Sequence, residues 1–284
     1  MILLFGGTGT LGHALAKIID KSGYECTVVS RCELRQKKMH ELYPKFHFIL
    51  GDIASNEWKR QIRSRPYCVF NLAALKHVDI AENNVEACIR VNLQGTINTA
   101  DWAMDTGVPH YVFSSTDKAV LPINTYGYAK GLSEKYLHSM QGKRDTQFSV
   151  FRWANVLASR GSVLHAFKES LQRESKVYIT EPQMTRFWIH IDDVANFMWE
   201  RKLSPSIDIP HIPEMKASSI LDLAQATANV MGLPKYKIEI TGVRPGEKIH
   251  ECLYSGHDRC LNSNTAEQYT MEELENLVRR ALCP

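Results

Sequence analysis

Short apolar runs alternate with longer amphipathic segments along the first half of the chain. Six of the runs are typical of strands: Ile2–Phe5, Cys26–Ser30, His47–Leu50, Cys68–Leu72, Tyr111–Ser114 and Ser149–Trp153. Three of the segments between them have the apolar spacing of helices: Leu11–Lys21, Val85–Asp105 and Tyr126–Met140. Strands and helices that alternate at this spacing predict an α/β fold with a doubly wound parallel sheet.

The second half of the chain is less regular and richer in proline. Its helical patterns cover Asp192–Arg201, Ser218–Met231 and Met271–Leu282, and Thr270 is a candidate N-cap for the last of them. We expect the helix at 192–201 to return to the first domain. The predicted division is therefore a cofactor domain of residues 1–153 plus about 187–203, and a smaller C-terminal substrate-binding lobe of residues 154–186 plus 204–284.

Composition narrows the classes of protein that fit this pattern. The formal charge of +3 over 284 residues is spread along the chain without a polybasic run, so a nucleic-acid partner is not expected. The seven cysteines are scattered and form no CxxC pair, which argues against a zinc site or other metal centre and against a disulfide framework. No apolar stretch approaches the roughly 18 residues of a membrane helix. These features favour a cytoplasmic protein with no membrane partner.

A glycine triplet follows the first predicted strand and opens the first predicted helix. At Gly6, Gly9 and Gly12 the missing side chain lets the backbone turn tightly and approach a pyrophosphate. The helix N-terminus then offers free N–H groups and a partial positive charge. In this strand–turn–helix context the triplet predicts a Rossmann-type dinucleotide site, and a loop that merely turns is the alternative.

The residues after the second and third strands bear on which dinucleotide binds. A carboxylate at position 30 would accept hydrogen bonds from the adenosine ribose and repel a 2′-phosphate, but this position is Ser30. Arg31 can pair with such a phosphate, which favours NADP over NAD; a solvated surface arginine is the other reading. Asp52 is a candidate for the adenine amino group or, equally, for a cap before Ser55.

Polar residues with acid–base chemistry follow the fifth strand. Tyr126 and Lys130 stand four apart at the start of a helical segment and so share one face. An ammonium near a phenol favours the phenolate and lowers its pKa, which makes the tyrosine a usable base. Thr116, Asp117 and Lys118 lie at the C-terminal end of that strand, where open α/β sheets hold their ligands. The alternative interpretation is that Asp117 is a turn residue without a role in catalysis.

Several strings carry a family resemblance from residue 1 to about residue 253. They are Ala73–Val78, Ser115–Ala119, Pro122–Asn124, Ser159–Val163, Met184–Trp188 and Gly242–Lys248. With the glycine triplet and the tyrosine–lysine pair, they resemble the extended short-chain dehydrogenase/reductases. Within that class they resemble the UDP-N-acetylglucosamine 4,6-dehydratase group, especially the members that invert sugar C5.

The resemblance implies a reaction sequence. Tyr126, assisted by Lys130, takes the proton of the sugar 4-hydroxyl while hydride passes from C4 to the cofactor. Lys118 then removes the C5 proton, Asp117 protonates the departing 6-hydroxyl, and the hydride returns to C6. Many C5-retaining relatives carry Glu at the position of Lys118, so inversion is expected. Some retaining relatives also carry the Asp–Lys pair, but they usually replace the tyrosine with Met, whereas this chain keeps Tyr126. A lysine must be neutral to act as a base, however, and Asp117 beside it favours the ammonium.

The resemblance also implies two sets of binding residues. The cofactor contacts are expected from Gly6, Thr8, Gly9, Thr10, Leu11, Gly12, Ser30, Arg31, Asp52, Ile53, Ala73, Ala74, Lys76, Asn92, Tyr126 and Lys130. The UDP-sugar contacts are expected from Lys76, His77, Thr116, Asn155, Ser162, Val163, Arg186, Arg244 and Glu247. The two arginines are suited to a diphosphate, or to loop salt bridges, and Glu247 to the uridine ribose. Asn92 is expected to hold a helix irregularity and an ordered water rather than to perform chemistry.

Two alternative functions stay open at this point. A UDP-sugar C4 or C5 epimerase would use the same oxidation without elimination, and the mass of the product distinguishes it. A catalytically silent NADP-binding protein would use the same fold, although the intact catalytic set argues against it. The segments Val85–Asp105 and Tyr126–Met140 could pair across a two-fold axis, so a homo-oligomer is expected.

Overall fold

The structure, a computed structural model, describes residues 1–157, 159–206, 210–256 and 259–282. Its first half forms a six-stranded parallel sheet in the order β3-β2-β1-β4-β5-β6. The strands are β1 Ile2–Phe5, β2 Cys26–Ser30, β3 His47–Leu50, β4 Cys68–Asn71, β5 His110–Ser114 and β6 Gln147–Phe151. The order reverses at β1, from which the chain proceeds first to one edge and then to the other, so the predicted doubly wound Rossmann sheet is confirmed.

Three predicted strands differ from the observed ones at one or both ends, and β5 begins one residue early, at His110 rather than Tyr111. Strand β4 ends one residue early, at Asn71, and β6 spans Gln147–Phe151 where the sequence predicted Ser149–Trp153. The β5–β6 ladder is in register from His110 opposite Gln147 to Ser114 opposite Phe151. Beyond Phe151 the chain leaves the sheet. The apolar Trp153 misled the prediction because its burial depends on packing outside the strand rather than within it.

Helices cover both faces of the sheet. In chain order these are α1 Thr10–Lys21, α2 Glu33–Leu42, α3 Val78–Asn83, α4 Val85–Cys88, α5 Gly95–Asp105 and α6 Thr125–Met140. Against one face, Leu15 and Ile19 of α1 pack with Val194 and Met198, which lie on a helix from the second half. The opposite face is covered by a second apolar cluster that includes residues of α5 and α6. Because both faces are covered, all residues of β1, β2 and β4 are buried.

The predicted helix Val85–Asp105 contains an irregular turn. Between α4 and α5 the residues Ile89–Gln94 form a π-helix. The carbonyl of Asn92 accepts hydrogen bonds from the hydroxyls of Thr96 (2.7 Å) and Ser133 (3.0 Å). The Asn92 side-chain oxygen accepts a hydrogen bond from the Leu75 N–H (2.8 Å), and the Asn92 side-chain nitrogen donates one to the Leu75 carbonyl (2.9 Å). The helix irregularity predicted at Asn92 is confirmed, and this side chain fixes the loop that follows β4.

The second half builds three smaller sheets and four helices within the described residues. The helices are α7 Val163–Glu174, α8 Ile191–Arg201, α9 Ile220–Val230 and α10 Met271–Leu282. The strands are β7 Asn155–Leu157, β8 Lys176–Ile179, β9 Thr185–His190, β10 Ala217–Ser219, β11 Lys237–Ile240, β12 Cys252–Gly256 and β13 Arg259–Asn262. Helices α7, α9 and α10 share an apolar core of their own. Across the ranges given above, no helix is long and apolar enough to cross a membrane.

Helix caps explain where two of these helices begin. The Thr270 hydroxyl accepts a hydrogen bond from the Glu273 N–H (3.2 Å), and the Glu273 carboxylate accepts one from the Thr270 N–H (2.9 Å). This capping box confirms the predicted N-cap of α10. Helix α9 begins at Ile220, two residues after the predicted start, because the Ser219 hydroxyl accepts from the Asp222 N–H (2.9 Å) and acts as the cap.

Candidate active site

A cavity of about 780 Å³ opens at the carboxyl edge of the parallel sheet. Its walls come from the glycine turn after β1, from the ends of β2, β4 and β5, from α6 and from the segment that follows β7. Predicted cofactor and substrate residues line it together: Gly6, Thr8, Gly9, Thr10, Leu11, Gly12, Ser30, Arg31, Asp52, Ile53, Ala73, Ala74, Lys76, His77, Thr116, Lys118, Tyr126, Lys130, Asn155, Ser162 and Val163. The strand order reverses here, which is where α/β sheets bind ligands.

The glycine turn leaves no space for side chains at two of its three positions. A Cβ on Gly12 would lie 2.0 Å from the carbonyl oxygen of Gly7, so α1 can start this close to the turn only with glycine there. Gly6 has φ +73°, and a Cβ there would lie 2.7 Å from the backbone of Ala73. A Cβ on Gly9 would meet only one atom within 4 Å, the Gly6 oxygen at 3.3 Å. Gly9 instead borders the cavity, where its small size leaves room for a ligand.

Cationic residues surround the end of β2. Arg31 and Arg35 both line the cavity, and the Arg31 guanidinium lies 3.7 Å from the Asp52 carboxylate. The Asp52 side chain also accepts a hydrogen bond from the Ala54 N–H (3.0 Å), which closes a turn. It does not cap a helix as predicted, because the next helical turn begins only at Glu57. Sequence reasoning missed Arg35, although its position in the first turn of α2, four residues after Arg31, was a usable signal. This corner can receive an anionic group.

The acid–base residues after β5 form a short 3₁₀ turn, Asp117–Ala119. Asp117 is fully buried, and its Oδ1 accepts hydrogen bonds from the Thr116 hydroxyl (2.8 Å) and the Lys118 ammonium (3.1 Å). The second oxygen, Oδ2, is buried with no hydrogen-bond partner among the described residues. Asp117 therefore does not line the cavity itself, but it contacts Thr116 and Lys118, which do.

Lys118 has a second carboxylate partner that the sequence did not predict. The Glu251 carboxylate lies 3.3 Å from the Lys118 nitrogen, and Glu251 is only 2% exposed. Burial alone would lower the pKa of Lys118, but the Asp117 and Glu251 charges outweigh it and hold that pKa above its usual value. The resting form of Lys118 is therefore the ammonium, as the neighbouring Asp117 led us to expect.

Tyr126 and Lys130 are both buried on the inner face of α6. Burial raises the pKa of Tyr126 to about 12, opposed by the Lys118 charge and a hydrogen bond with Thr116. Lys130 donates to the Ser114 carbonyl (2.8 Å) and lies 4.3 Å from the Phe113 ring centre. Burial lowers the pKa of Lys130 to about 7. The cation that opposes the rise at Tyr126 is thus Lys118, whereas the sequence predicted Lys130.

Helix α6 lies unusually close to the 3₁₀ turn. A Cβ at Gly127 would be 2.2 Å from the Lys118 carbonyl oxygen, so only glycine permits this approach. The Asn124 side chain caps the helix by accepting from the Gly127 N–H (2.7 Å). This contact brings Tyr126 of α6 next to Thr116 and Lys118 of the 3₁₀ turn and its cap.

Three predicted substrate residues do not line the cavity. Arg186 is buried and donates to the carbonyls of Thr185 (2.8 Å), Ile249 (3.0 Å) and Lys248 (2.8 Å), so its guanidinium is occupied by backbone. Arg244 is exposed and, with Glu247, lies in the segment before β12; the Glu247 carboxylate accepts from the Arg244 N–H (3.2 Å). Arg186, which was predicted to contact the diphosphate, therefore holds neighbouring backbone segments together.

Asn92 and Arg160 also differ from expectation. Asn92 was predicted to contact the cofactor, but it is fully buried, does not line the cavity and holds Leu75, which does. Arg160 was not predicted as a site residue, yet its backbone carbonyl accepts from the Lys76 ammonium (2.7 Å) and its N–H donates to the Thr10 hydroxyl (3.1 Å). The segment after β7 is thereby tied across the mouth of the glycine turn.

The sheet order, the glycine turn and the tyrosine–lysine pair define the class of the protein as an extended short-chain dehydrogenase/reductase fold. The sequence profile of the family described as polysaccharide biosynthesis protein matches residues 2–273. This chain belongs to that family.

Individual relatives agree with this membership. The chain is 36% identical over 281 residues to the UDP-N-acetylglucosamine 4,6-dehydratase (inverting) of Campylobacter jejuni, a match that covers 95% of this chain and 82% of the relative. It is 33% identical over 281 residues to the UDP-glucose 4-epimerase of Rickettsia canadensis, covering 94% and 81%. Among solved structures, Pen from Bacillus thuringiensis superposes with a TM-score of 0.91 at 26% identity, covering 99% of this chain and 97% of Pen.

Proposed function

We propose that the chain is a UDP-N-acetylglucosamine 4,6-dehydratase that inverts C5, a hydro-lyase whose product is a UDP-4-keto-6-deoxy sugar. The observation that carries the proposal is Lys118, which lines the cavity together with Tyr126 and has its nitrogen 3.1 Å from the carboxylate of the buried Asp117. An elimination needs one group to accept a carbon-bound proton and another to protonate the leaving hydroxyl. The relative in Campylobacter jejuni supports the same reaction.

The cavity fits a nicotinamide dinucleotide. The turn at Gly6 and Gly12 has no space for a Cβ, and α1 begins directly behind it without an acidic residue in its first turn. The N–H groups of a first helical turn have no intrahelical partners and can bind phosphate. When bound, the dinucleotide accepts hydride at one sugar carbon and returns it to another, so it is not consumed.

The residues of this chain supply the proton transfers. Tyr126 accepts the proton of the sugar 4-hydroxyl as the phenolate. Burial disfavours that form, whereas the Lys118 ammonium, and the positive charge that an oxidised nicotinamide would supply, favour it. Lys130 supports Tyr126 from one turn along α6. Lys118 accepts the C5 proton, which the adjacent 4-ketone has made acidic. The C5–H electron pair becomes the C5–C6 double bond while the C6–O bond breaks. The Thr116 hydroxyl, which lines the cavity 2.8 Å from Asp117 Oδ1, passes the Asp117 proton to the departing hydroxyl, and that hydroxyl leaves as water. Neutral Lys118 with protonated Asp117 differs from the observed ion pair by one proton transfer.

Product mass and C5 labelling test this proposal. The purified chain is incubated with UDP-N-acetylglucosamine, and separately with UDP-glucose, in heavy water. We expect a product that has lost one water, carries deuterium at C5 and has the inverted configuration there. The 33% identity to a UDP-glucose 4-epimerase supports epimerisation as the second candidate. A product that keeps the mass of the substrate, apart from deuterium, would establish the epimerase and reject the dehydratase.

Two glycine variants test the cofactor site. Gly12→Ala places a Cβ 2.0 Å from the Gly7 oxygen, and we expect overpacking to lower the free energy of unfolding by about 1–3 kcal/mol. Gly9→Ala meets no comparable clash and has an extended backbone, so its melting temperature should stay near that of the parent chain. Its NADP⁺ affinity should nevertheless fall about tenfold. Calorimetry measures both, and unchanged affinity in Gly9→Ala would contradict the proposed site.

We further propose that the cofactor is NADP rather than NAD. Arg31 and Arg35 border the cavity at the end of β2, where a 2′-phosphate would face two cations. Arg31→Ala should weaken NADP⁺ binding about 10- to 100-fold and leave NAD⁺ binding nearly unchanged, because a hydrogen bond to a charged group contributes about 1.5–3 kcal/mol. Arg63→Ala, on an exposed position outside the cavity, is the matched control. Equal losses for both dinucleotides in Arg31→Ala would count against NADP.

We also propose that the chain forms a homo-oligomer through α4, α6 and the π turn. Val85, Ile89, Tyr128 and Leu132 are each about half exposed, at 48%, 45%, 53% and 51%. Each pair is four residues apart, so each forms an apolar stripe on one helix face. Leu132→Glu should yield monomers in light scattering, whereas Leu42→Glu, at an exposed leucine of α2, should not. A monomeric parent chain would contradict the proposal.

Finally, we infer that the cofactor and the UDP-sugar bind to different parts of the chain. Residues 1–153 with about 187–203 would bind the cofactor in the cytoplasm, and residues 154–186 with 204–284 would bind the UDP-sugar. The cavity supports this division, because Asn155, Ser162 and Val163 of the second part line it together with the glycine turn of the first. Hydrogen–deuterium exchange of the chain with NADP⁺, and separately with the UDP-sugar, would test which part each ligand protects. Fractionation of cells would test the cytoplasmic location.

A further inference from the structure

Glu251 reaches the acid–base couple from a part of the chain far away in sequence. It immediately precedes β12 and is 2% exposed. Its Oε1 lies 3.3 Å from the Lys118 nitrogen, and its Oε2 lies 3.7 Å from the Lys248 nitrogen. Lys118 therefore lies between two buried carboxylates, of which only Asp117 belongs to its own turn.

The backbone around Glu251 is held firmly. The Glu251 N–H donates to the Ser263 hydroxyl (2.9 Å), and the Ser263 N–H donates to the Glu251 carbonyl (2.9 Å). The Ser263 hydroxyl is in turn within 2.7 Å of the Thr185 hydroxyl on β9. Nearby, the Lys248 ammonium donates to the Val120 carbonyl (2.6 Å) at the end of the 3₁₀ turn. The segment 248–251 is thus fixed against the turn that carries Lys118.

The charges near Lys118 come from four different parts of the fold. The charged or titratable groups that face it or its carboxylate partners are Asp117, Tyr126, Arg186, Lys248 and Glu251. Arg186 opposes the ammonium of Lys118, whereas the two carboxylates favour it. Removal of the Glu251 charge would leave one carboxylate against the Arg186 cation. Glu251 therefore has a large share in the protonation of Lys118, because an opposite charge within 4–6 Å shifts a pKa by about 1–3 units.

We propose that Glu251 is a positioning residue for the dehydration: it holds the Lys118 amine in place and sets how strongly that amine binds a proton. This inference rests on the proposed function, in which Lys118 removes the C5 proton. During that step a positive charge develops on Lys118, and the fixed Glu251 carboxylate stabilises it. Glu251 does not itself line the cavity, whereas its partner Lys118 does, so Glu251 acts through Lys118.

The first test measures Lys118 without any turnover. The full chain is treated with acetic anhydride at a series of pH values, and acetylation of Lys118 is quantified by peptide mass spectrometry. Only the neutral amine reacts, and Lys118 is accessible because it borders the cavity. In Glu251→Gln the midpoint for labelling should shift to lower pH by about 1–3 units, so that labelling at pH 8 rises at least tenfold. Exposed Lys37 serves as the internal standard.

The second test uses the pH profile of deuterium incorporation at C5 of UDP-N-acetylglucosamine. In Glu251→Gln the rising limb should move to lower pH while kcat falls at least tenfold and KM stays within twofold. Glu251→Asp keeps the charge and should restore the limb toward its original position. Glu267→Gln is the matched control, because Glu267 also pairs with a lysine (Lys216, 2.7 Å) but is 71% exposed; its profile should not move.

The outcomes separate this inference from the proposed function. If the parent chain forms no dehydrated product, the dehydratase proposal fails, yet the labelling experiment still decides whether Glu251 controls Lys118. An unchanged labelling midpoint in Glu251→Gln would overturn the inference. So would a loss of kcat with an unmoved pH limb, which is the result of a purely structural role. If Glu251→Gln does not fold, Glu251→Asp must still label with a midpoint close to that of the parent chain.

Discussion

Replacing Lys118 with methionine is expected to abolish the dehydration of UDP-N-acetylglucosamine, with kcat lower by about 10²–10⁴-fold. Methionine fills a similar volume but accepts no proton, so the C5–H bond stays intact and deuterium no longer enters at C5. The parent chain and the variant are compared in heavy water by mass spectrometry of the nucleotide sugar. Oxidation at C4 does not require Lys118, so traces of reduced cofactor should still form.

A second substitution separates the base from the ion pair. Lys118→Arg keeps a cation near Asp117 and Glu251, but a guanidinium does not lose its proton in proteins. We therefore expect Lys118→Arg to fold, to bind NADP⁺ and to be as inactive as Lys118→Met. Deuterium exchange at C5 that persists in both variants would remove Lys118 from the proposed role.

Replacing Tyr126 with phenylalanine should have an effect of similar size, about 10²–10⁴-fold on kcat, because only the proton-accepting oxygen is lost. The ring would still pack with Cys88 and Ala129, so the melting temperature should change little. The earliest step is affected, and the transient reduced cofactor should disappear along with the product. Tyr67→Phe, on a partly exposed ring outside the cavity, is the matched control. Unchanged dehydration in Tyr126→Phe would remove Tyr126 from the proposed role, and unchanged biological activity in the absence of dehydration would favour the non-catalytic NADP-binding alternative.

The sheet and the glycine turn could be predicted from the sequence because each depends on a pattern within a short stretch of residues. Strands β1, β2 and β3 begin and end where their apolar runs do, and Gly12 reveals its close contact through its spacing in the motif. A buried parallel strand needs a continuous apolar run, and a phosphate turn needs glycine at fixed offsets. Both requirements are visible within about ten residues.

The side-chain partners of the catalytic turn could not be predicted in this way. Glu251 is 133 residues from Lys118 in sequence, and nothing near either residue shows that they meet. Arg186 was interpreted as a phosphate ligand because of its chemistry, but three backbone carbonyls occupy it. Such pairings depend on how the second half folds against the first. The Tyr126 pKa depends on burial, which the sequence alone does not reveal.

The π turn at Ile89–Gln94 has a consequence for the surface of the molecule. Each residue of an α-helix rotates the side-chain direction by about 100° around the helix axis. One extra residue in the π turn therefore changes which face of the helix the later side chains occupy. Val85 before the turn can therefore face outward, while Thr99 after it faces inward and hydrogen-bonds Asn71 of β4 (3.3 Å). An uninterrupted helix would have to give up one of these two alignments. A single-residue deletion within the turn would misalign either the outer stripe or the sheet contact.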